Sequence, residues 1–291
     1  MTVRLSLAID LHYEVAAPGA DFIFNVQCAH TRQQHLVTES LSLSQAVPMA
    51  MHTDRNTQAR YLRLSAFPGT LHLAYQATLD LHHHVAVPAD IPEIPVAQLP
   101  PDVLTYLYPS RYCPSDQLTQ LAIQEFGAMA RGYRRVESIL GWVRRQVIFK
   151  SNTSTSATSA LDTLRDGVGV CRDFAHLMIA LCRALNIPAR FTTGIDYGAD
   201  PTLGPTDFHA YVEVYLGHRW YLFDPSGTAI PMGFVRIGTG RDAADGSFAT
   251  IFGPVVSQAP RISIQANADF HAGCDLPVHR AEALSTDGGL G

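Results

Sequence analysis

The chain has 291 residues, 47% hydrophobic and 16% charged, and 21 Lys plus Arg against 26 Asp plus Glu give a formal charge of −5. Such a balance suits a globular chain with a real core and excludes wholesale disorder. So mild an acidity gives no footing for a nucleic-acid or membrane-surface partner, and no charge-free apolar run reaches the ~18 residues of a spanning helix.

Met1–Val15 mixes Arg4, Asp10, His12 and Glu14 into its apolar residues. It therefore lacks the uninterrupted apolar segment of a secretory signal and alternates as a strand does. Further alternating stretches follow at Asp21–Gln27, Leu36–Leu43, Tyr61–Ala66 and Leu71–His83, separated by turn-rich patches at 17–19, 52–56 and 67–69. Several short strands at this spacing predict an antiparallel β-sandwich over residues 1–88. The prolines at 88, 92, 95, 100 and 101 make residues 89–100 a stiff connector and domain boundary.

Helical periodicity begins after Cys113-Pro114, with Ser115 as the expected N-cap and Leu118, Leu121, Ala122 and Phe126 on one face. Tyr133, Val136, Leu140, Val143 and Val147 mark a second helix, whose arginines (Arg131, Arg134, Arg135, Arg144, Arg145) read as a solvated face. A third helix is expected over 157–164, ended by Gly167. A fourth starts near Cys171 with Phe174, Leu177, Met178, Leu181, Cys182 and Leu185 as a buried stripe. Strands are expected at Ala189–Gly194, Phe208–Leu216, Arg219–Phe223 and Ile262–Ala266. Helices followed by a mainly antiparallel sheet make residues 101–278 an α+β domain with a C-terminal strand, and 279–291 are expected to be a flexible tail.

Cys171 follows a Gly-x-Gly turn and opens the fourth helix. Unpaired N–H groups and the positive dipole end there favour a thiolate over a thiol, whereas Cys182 in the buried stripe reads as a small core residue. His209 lies on an alternating strand with Tyr211, Glu213 and Tyr215 on its own face. Gly217-His218 suits a two-residue hairpin turn, and that register makes Asp224 a diagonal same-face neighbour of His209. A slip of one residue would put it on the other face. A Cys nucleophile, a His base and an Asp to orient the imidazole are the parts that acyl transfer needs. Asp224, placed before Pro225, is expected to be a loop carboxylate worth no more than ~0.5 kcal/mol to stability.

These residues carry a family resemblance. Gly167–Ala175 resembles the nucleophile segment of the transglutaminase-like superfamily. Ile187–Arg190, Phe208–Val214 and Trp220–Ser226 resemble the rest of its core in order, and Tyr108–Pro114 and Gly240–Asp245 resemble flanks of a bacterial branch that carries an N-terminal β-sandwich. The resemblance implies a papain-like core with Cys171, His209 and Asp224 as the triad. It leaves the reaction open among peptidases, amidases and cross-linking transglutaminases.

The first expectation is a thiol-dependent amide hydrolase acting on a protein or peptide. A protein-glutamine acyl transferase is the alternative, and a binding module with a vestigial site a third. Papain-type enzymes place a Gln six residues before the nucleophile as an oxyanion donor; here that position is Arg165. The Cys171 N–H is one expected donor, with Asn152, Ser154 or Thr155 as candidates for a second.

No cofactor and no metal is expected. Asp242 and Asp245 resemble a cation-binding pair of calcium-dependent relatives, but an Arg241–carboxylate network is the better reading. Of His82-His83-His84 at most two can share a ligand sphere, so this cluster, with His72 upstream, reads as a surface strand end. The five cysteines (Cys28, Cys113, Cys171, Cys182, Cys274) are odd in number and scattered. They read as free thiols, with the cytoplasm as the expected location.

Overall fold

A computed structural model describes residues 2–199, 202, 206–268 and 273–287. In chain order it begins with strands β1 (Thr2–Val15), β2 (Ala20–Phe24), β3 (Gln34–Leu43), β4 (Ala50–Thr53), β5 (Arg60–Ala66), β6 (Gly69–His82) and β7 (His84–Ala86). Helices α1 (Thr119–Phe126) and α2 (Tyr133–Gln146), strand β8 (Ile148–Phe149), helix α3 (Ala160–Asp166), strand β9 (Val168–Gly169) and helix α4 (Cys171–Ala184) follow. The remainder is β10 (Ala189–Asp196), β11 (His209–Leu216), β12 (Arg219–Phe223), β13 (Phe234–Gly240), β14 (Ala249–Phe252), β15 (Val255–Ser257), β16 (Arg261–Ala266) and β17 (Ala283–Ser285).

The alternation read in the sequence decides the sandwich. Every second residue of β1 from Val3 to Val15 is buried, as are Leu71, Leu73, Tyr75, Ala77 and Leu79 on β6, so apolar side chains of one face meet the opposite sheet. One sheet runs β15-β1-β6-β3 and the other β14-β2-β5-β4. Strand β4, in a stretch expected partly as a turn, is an exposed edge strand paired with β5.

Two expectations are corrected by the pairing. The strand at 261–266 is expected with the core; instead β16 pairs antiparallel with β1, Leu5 opposite Ala266, and β14 pairs with β2. The chain thus returns to complete the sandwich, because β1 and β2 otherwise present unpaired edges. The expected tail is also structured through residue 287. Strand β17 pairs with β7, Ala283 to Thr286 are buried, and Asp287 meets the buried Arg190 at 2.5 Å. Residues 288–291 lie outside the described residues.

The core sheet has the order β12-β11-β10-β13. One face (Phe191, Ala210, Val212, Val214) packs on the helices, chiefly α4. The other (Ile195, Tyr211, Phe234, Val235) shares a hydrophobic cluster with the sandwich. Both faces are covered, and β10 and β11 are accordingly buried at every residue. The proline connector lies on the core: Ile91 joins the helical cluster, and Glu93 takes two hydrogen bonds from the buried Arg135.

Arg135 therefore departs from the solvated face expected for its helix. Arg144 stays exposed as expected, but it donates to the Asp224 main-chain carbonyl at 2.5 Å. Ser115 is buried as the first residue of a short turn of 3-10 helix at 115–118, which displaces the start of α1. Helix α3 starts at Ala160 because Ser159 and Asp162 satisfy each other's backbone N–H groups in a capping box. Among the described residues no helix is long and apolar enough to cross a membrane.

Candidate active site

Cys171 is the first residue of α4 and is half-buried. Its position is fixed by the first turn of that helix. The fully buried Asp173 accepts from the Val170 N–H at 2.9 Å and from the Ser154 hydroxyl at 2.9 Å. Asp173 sits so close to Gly169 that a Cβ there would lie 2.7 Å from its own, which is why the turn before the nucleophile carries glycine at that place. Expected as a helix-dipole complement, Asp173 also ties the helix start to the 151–155 loop. Arg172 reinforces that tie by donating to Ser154 Oγ and, at 2.7 Å, to the Thr155 carbonyl.

His209 opens β11, and Asp224 follows β12. The two strands pair with Val212 opposite Phe223 and Leu216 opposite Arg219, the register expected from the two-residue turn. Gly217 and His218 both have positive φ, 52° and 62°, the backbone of a type I′ turn that matches strand twist. His209 and Asp224 consequently share a face. The His209 Nε2–Asp224 Oδ1 distance is 3.4 Å, an ion-pair separation somewhat beyond the best N–H···O range; catalytic hydrogen bonds often tighten only when substrate is bound.

Asp224 is buried rather than a free loop carboxylate. Its Oδ1 accepts from the Ser226 hydroxyl at 2.6 Å and N–H at 3.1 Å, and its Oδ2 from the Ala229 N–H at 3.2 Å. Burial works against its charge, but His209, the Ser226 hydroxyl and the Ala229 N–H outweigh it and hold the carboxyl below its ordinary range. For His209 burial likewise opposes the charged ring, yet Asp224 and Cys171 beside it raise the imidazole well above its usual value. The geometry therefore favours an imidazolium next to the thiol.

Cys171, His209, Arg172, Asn152 and Ser154 line one cleft of about 510 Å³, a size ordinary for a ligand site. Among the described residues none of 2–88 lines it. Of the candidate oxyanion donors, Ser154 has its single hydroxyl proton committed to Asp173, and Thr155 does not line the cleft. Asn152, held at φ 62°, lines the cleft. Arg165, at the Gln position of papain-type enzymes, is exposed and paired with Asp162 and Asp166. Two contributors escape a reading of the sequence: Arg144, which reads as solvated, and Asp196, which lines the cleft with its Oδ2 3.8 Å from His209 Nδ1. Asp196 lies beyond the strand end expected at Gly194, although the β10–β11 register would have found it.

A larger cavity of about 860 Å³ lies between the sandwich and the core sheet and contains none of the three residues. Its buried Arg190 and Arg236 are occupied with Glu213 and Asp287. Asp245 pairs with Arg241 at 2.8 Å, and Asp242 accepts from the Tyr112 and Ala244 N–H groups at 2.9 Å each. That is the structural network expected there. His82 and His84 are exposed, but His83 is buried, with its imidazole pushed down to about 4 by burial.

Comparison with known proteins agrees with this geometry. The family model for the transglutaminase-like superfamily matches residues 121–225, and that for the bacterial transglutaminase N-terminal domain matches residues 3–102. A crystal structure from Cytophaga hutchinsonii, named as a candidate cysteine protease, is 37% identical with a TM-score of 0.90 over 98% of each chain. An uncharacterized protein of Mycobacterium leprae is 28% identical over 144 residues, which are 48% of this chain and 51% of that protein. One from Mycobacterium tuberculosis is 30% identical over 108 residues, 33% and 34% of the two chains. The chain thus spans about half the length of the first of these mycobacterial relatives and a third of the second. With the sandwich and the core both matched, and a relative of known structure similar from end to end, this chain belongs to the transglutaminase-like superfamily.

Proposed function

We propose that the chain is a thiol-dependent amide hydrolase that acts on a protein or peptide through an acyl-enzyme on Cys171. The observation that carries this reading is the placing of His209 between a half-buried cysteine at a helix start and a buried, hydrogen-bonded Asp224, with Cys171 and His209 lining one cleft. The Cys171 thiolate attacks the carbonyl carbon, and the oxyanion meets the Cys171 N–H, one of the helix's unpaired first-turn donors. His209 gives its proton to the departing amine as the thioester forms. It then takes a proton from water, which attacks the thioester and releases the acid and the thiol. Asp224 holds the imidazole in the required tautomer throughout. The five free cysteines fit work in a reducing compartment, and we place the enzyme in the cytoplasm.

Trapping with a peptidyl chloromethyl ketone, read by intact mass and peptide mapping, tests the reading. A thioether on Cys171, formed with loss of chloride and absent in Cys171→Ala, is expected; no adduct on Cys171 would sink it. Adding a primary amine during turnover separates the alternative, since an acyl transferase would divert product to the amide.

A further inference from the structure

Around His209 the charges do not balance. Its Nε2 is turned to Asp224, which leaves Nδ1 as the nitrogen that can serve the thiol. Asp196 Oδ2 stands 3.8 Å from that same Nδ1, on a side chain 3% exposed, and has no hydrogen-bond partner. The β10–β11 register sets Gly194 opposite His209, and beyond that pair Asp207 lines the same cleft as Asp196, close enough for its charge to act on Asp196. Among the described residues the Asp207 carboxylate accepts from its neighbour, the Phe208 N–H, at 2.7 Å. The cationic side chain on the cleft wall, Arg172, is engaged with Ser154, the Thr155 carbonyl and Asp173. If His209 answers the Cys171 thiolate, no free cation among the described residues that line the cleft answers Asp196 and Asp207.

A buried carboxylate without a counter-ion is costly, and that cost falls on Asp196, whereas Asp207 is exposed. Burial, with the charges of Asp224 and Asp207 adding to it, raises Asp196, and partial desolvation raises Asp207. Asp196 is the group to be completed by a cation, with Asp207 beside it in the cleft. Among the described residues no group of three or more His, Cys, Asp or Glu side chains converges as a metal ion would need. A single ammonium needs fewer partners, because its three N–H donors can be met by two carboxylates and one further acceptor.

We propose that Asp196, backed by Asp207, forms an acidic subsite for a primary ammonium group on the amine portion of the substrate. The side follows from the chemistry: the proton passed to the departing amine leaves from His209 Nδ1, and Asp196 lies beside that atom. The inference rests on Cys171 being the reacting group, as proposed above, and names the substrate class that the cleft selects.

Methanethiosulfonates of different charge test it without a known substrate. The thiolate attacks the reagent sulfur, a mixed disulfide forms and methanesulfinate leaves. Rates at Cys171 are read by peptide mapping for the cationic aminoethyl, neutral methyl and anionic sulfonatoethyl reagents on the full chain, each normalised to glutathione. The cationic-to-neutral ratio should exceed that of glutathione. Asp196→Asn should lower it roughly tenfold, as removal of one unit charge a few ångströms away would. Asp207→Asn, at a less buried position, should lower it in the same direction, and the exposed control Asp116→Asn should leave it unchanged. A ratio unmoved by both cleft variants overturns the subsite while leaving the thiol mechanism intact. Equal slowing toward all three reagents also overturns it, since Asp196 would then act only by positioning His209. If Cys171 reacts with the neutral reagent no faster than buried Cys182, the thiol mechanism itself fails, and the charge ratio at Cys171 still judges the subsite.

Discussion

Asp224 changes meaning once its surroundings are known. As a loop carboxylate before a proline it had no reason to matter to stability, but it anchors the Ser226 and Ala229 N–H groups from a buried position. Asp224→Ala should therefore damage both folding and turnover, removing ~3 kcal/mol as the loss of one partner from a buried pair does. Asp224→Asn keeps an acceptor for only one of those N–H groups, because they use different oxygens and its NH2 turns a donor toward the other, and it loses the charge beside His209. Its melting temperature should fall less than that of Asp224→Ala while kcat/KM falls by about a hundredfold or more. Equal losses in the two variants would make Asp224 a structural residue only. The cysteines give a second contrast. Cys171 is half-exposed, whereas Cys182 is fully buried and burial pushes its thiol up, as it pushes Cys28 and Cys113 up to about 12. Limited iodoacetamide at neutral pH should label Cys171 at least about tenfold faster than Cys182. Similar labelling of the two would remove the case for a poised nucleophile.

At the scale of elements, the hairpin β11–β12 was legible because a two-residue Gly-His turn leaves one register that buries Val212 and Val214 toward the helices, and that register decides which face Asp224 shares. Helix α4 was legible from its apolar stripe. Helix starts were less so: Ser159 carried a capping-box signal with Asp162, but the preceding Ala157 and Thr158 read equally well as helix. His176, inside α4, is not legible in the sequence because it lies off the apolar stripe and an isolated histidine carries no pattern. In the fold its ring stacks on Tyr112 and its Nε2 accepts from the Ala243 N–H at 3.1 Å. Burial pushes it down to about 3, against the pull of Asp242, with Arg172 and Arg183 adding to the fall. Between its ordinary 6.5 and about 3 the unfolded chain binds a proton there that the folded chain refuses. Its contribution to stability is thus full above that window and declines as pH falls through it. His176→Gln retains an acceptor and cannot titrate, so its melting temperature should fall less than wild type between pH 7 and about 4. Parallel curves for the two proteins would refute this account.

For the whole molecule, the two-layer plan was readable from the change of period near the proline connector, but its closure was not. Strands β14 to β16 look like any other short alternating segments, and nothing local says which sheet they will join; partner choice over such a separation is settled by edges and packing. The shared cluster of Ile195, Tyr211, Leu222, Phe234 and Val235 with the sandwich makes the domains mutually dependent. Expressed alone, residues 101–255 should be largely insoluble or bind hydrophobic dyes, because that sheet face would be an exposed apolar patch. A soluble, natively folded fragment would show the sandwich to be dispensable.

The return of β16 to β1 bears also on the order of events at the ribosome. Strand β1 is made before β16, and their pairing waits until the whole α+β core has emerged in between. Pairings this distant in sequence carry a large loop-closure cost and fold slowly. During that wait the nascent sandwich has β3 and β6 to pair with but an open flank along β1, the kind of edge that recruits strands from neighbouring chains. Yield in the cell should accordingly depend on how quickly strands β14 to β16 leave the exit tunnel behind the core, and on chaperones that shield a single strand edge until they do.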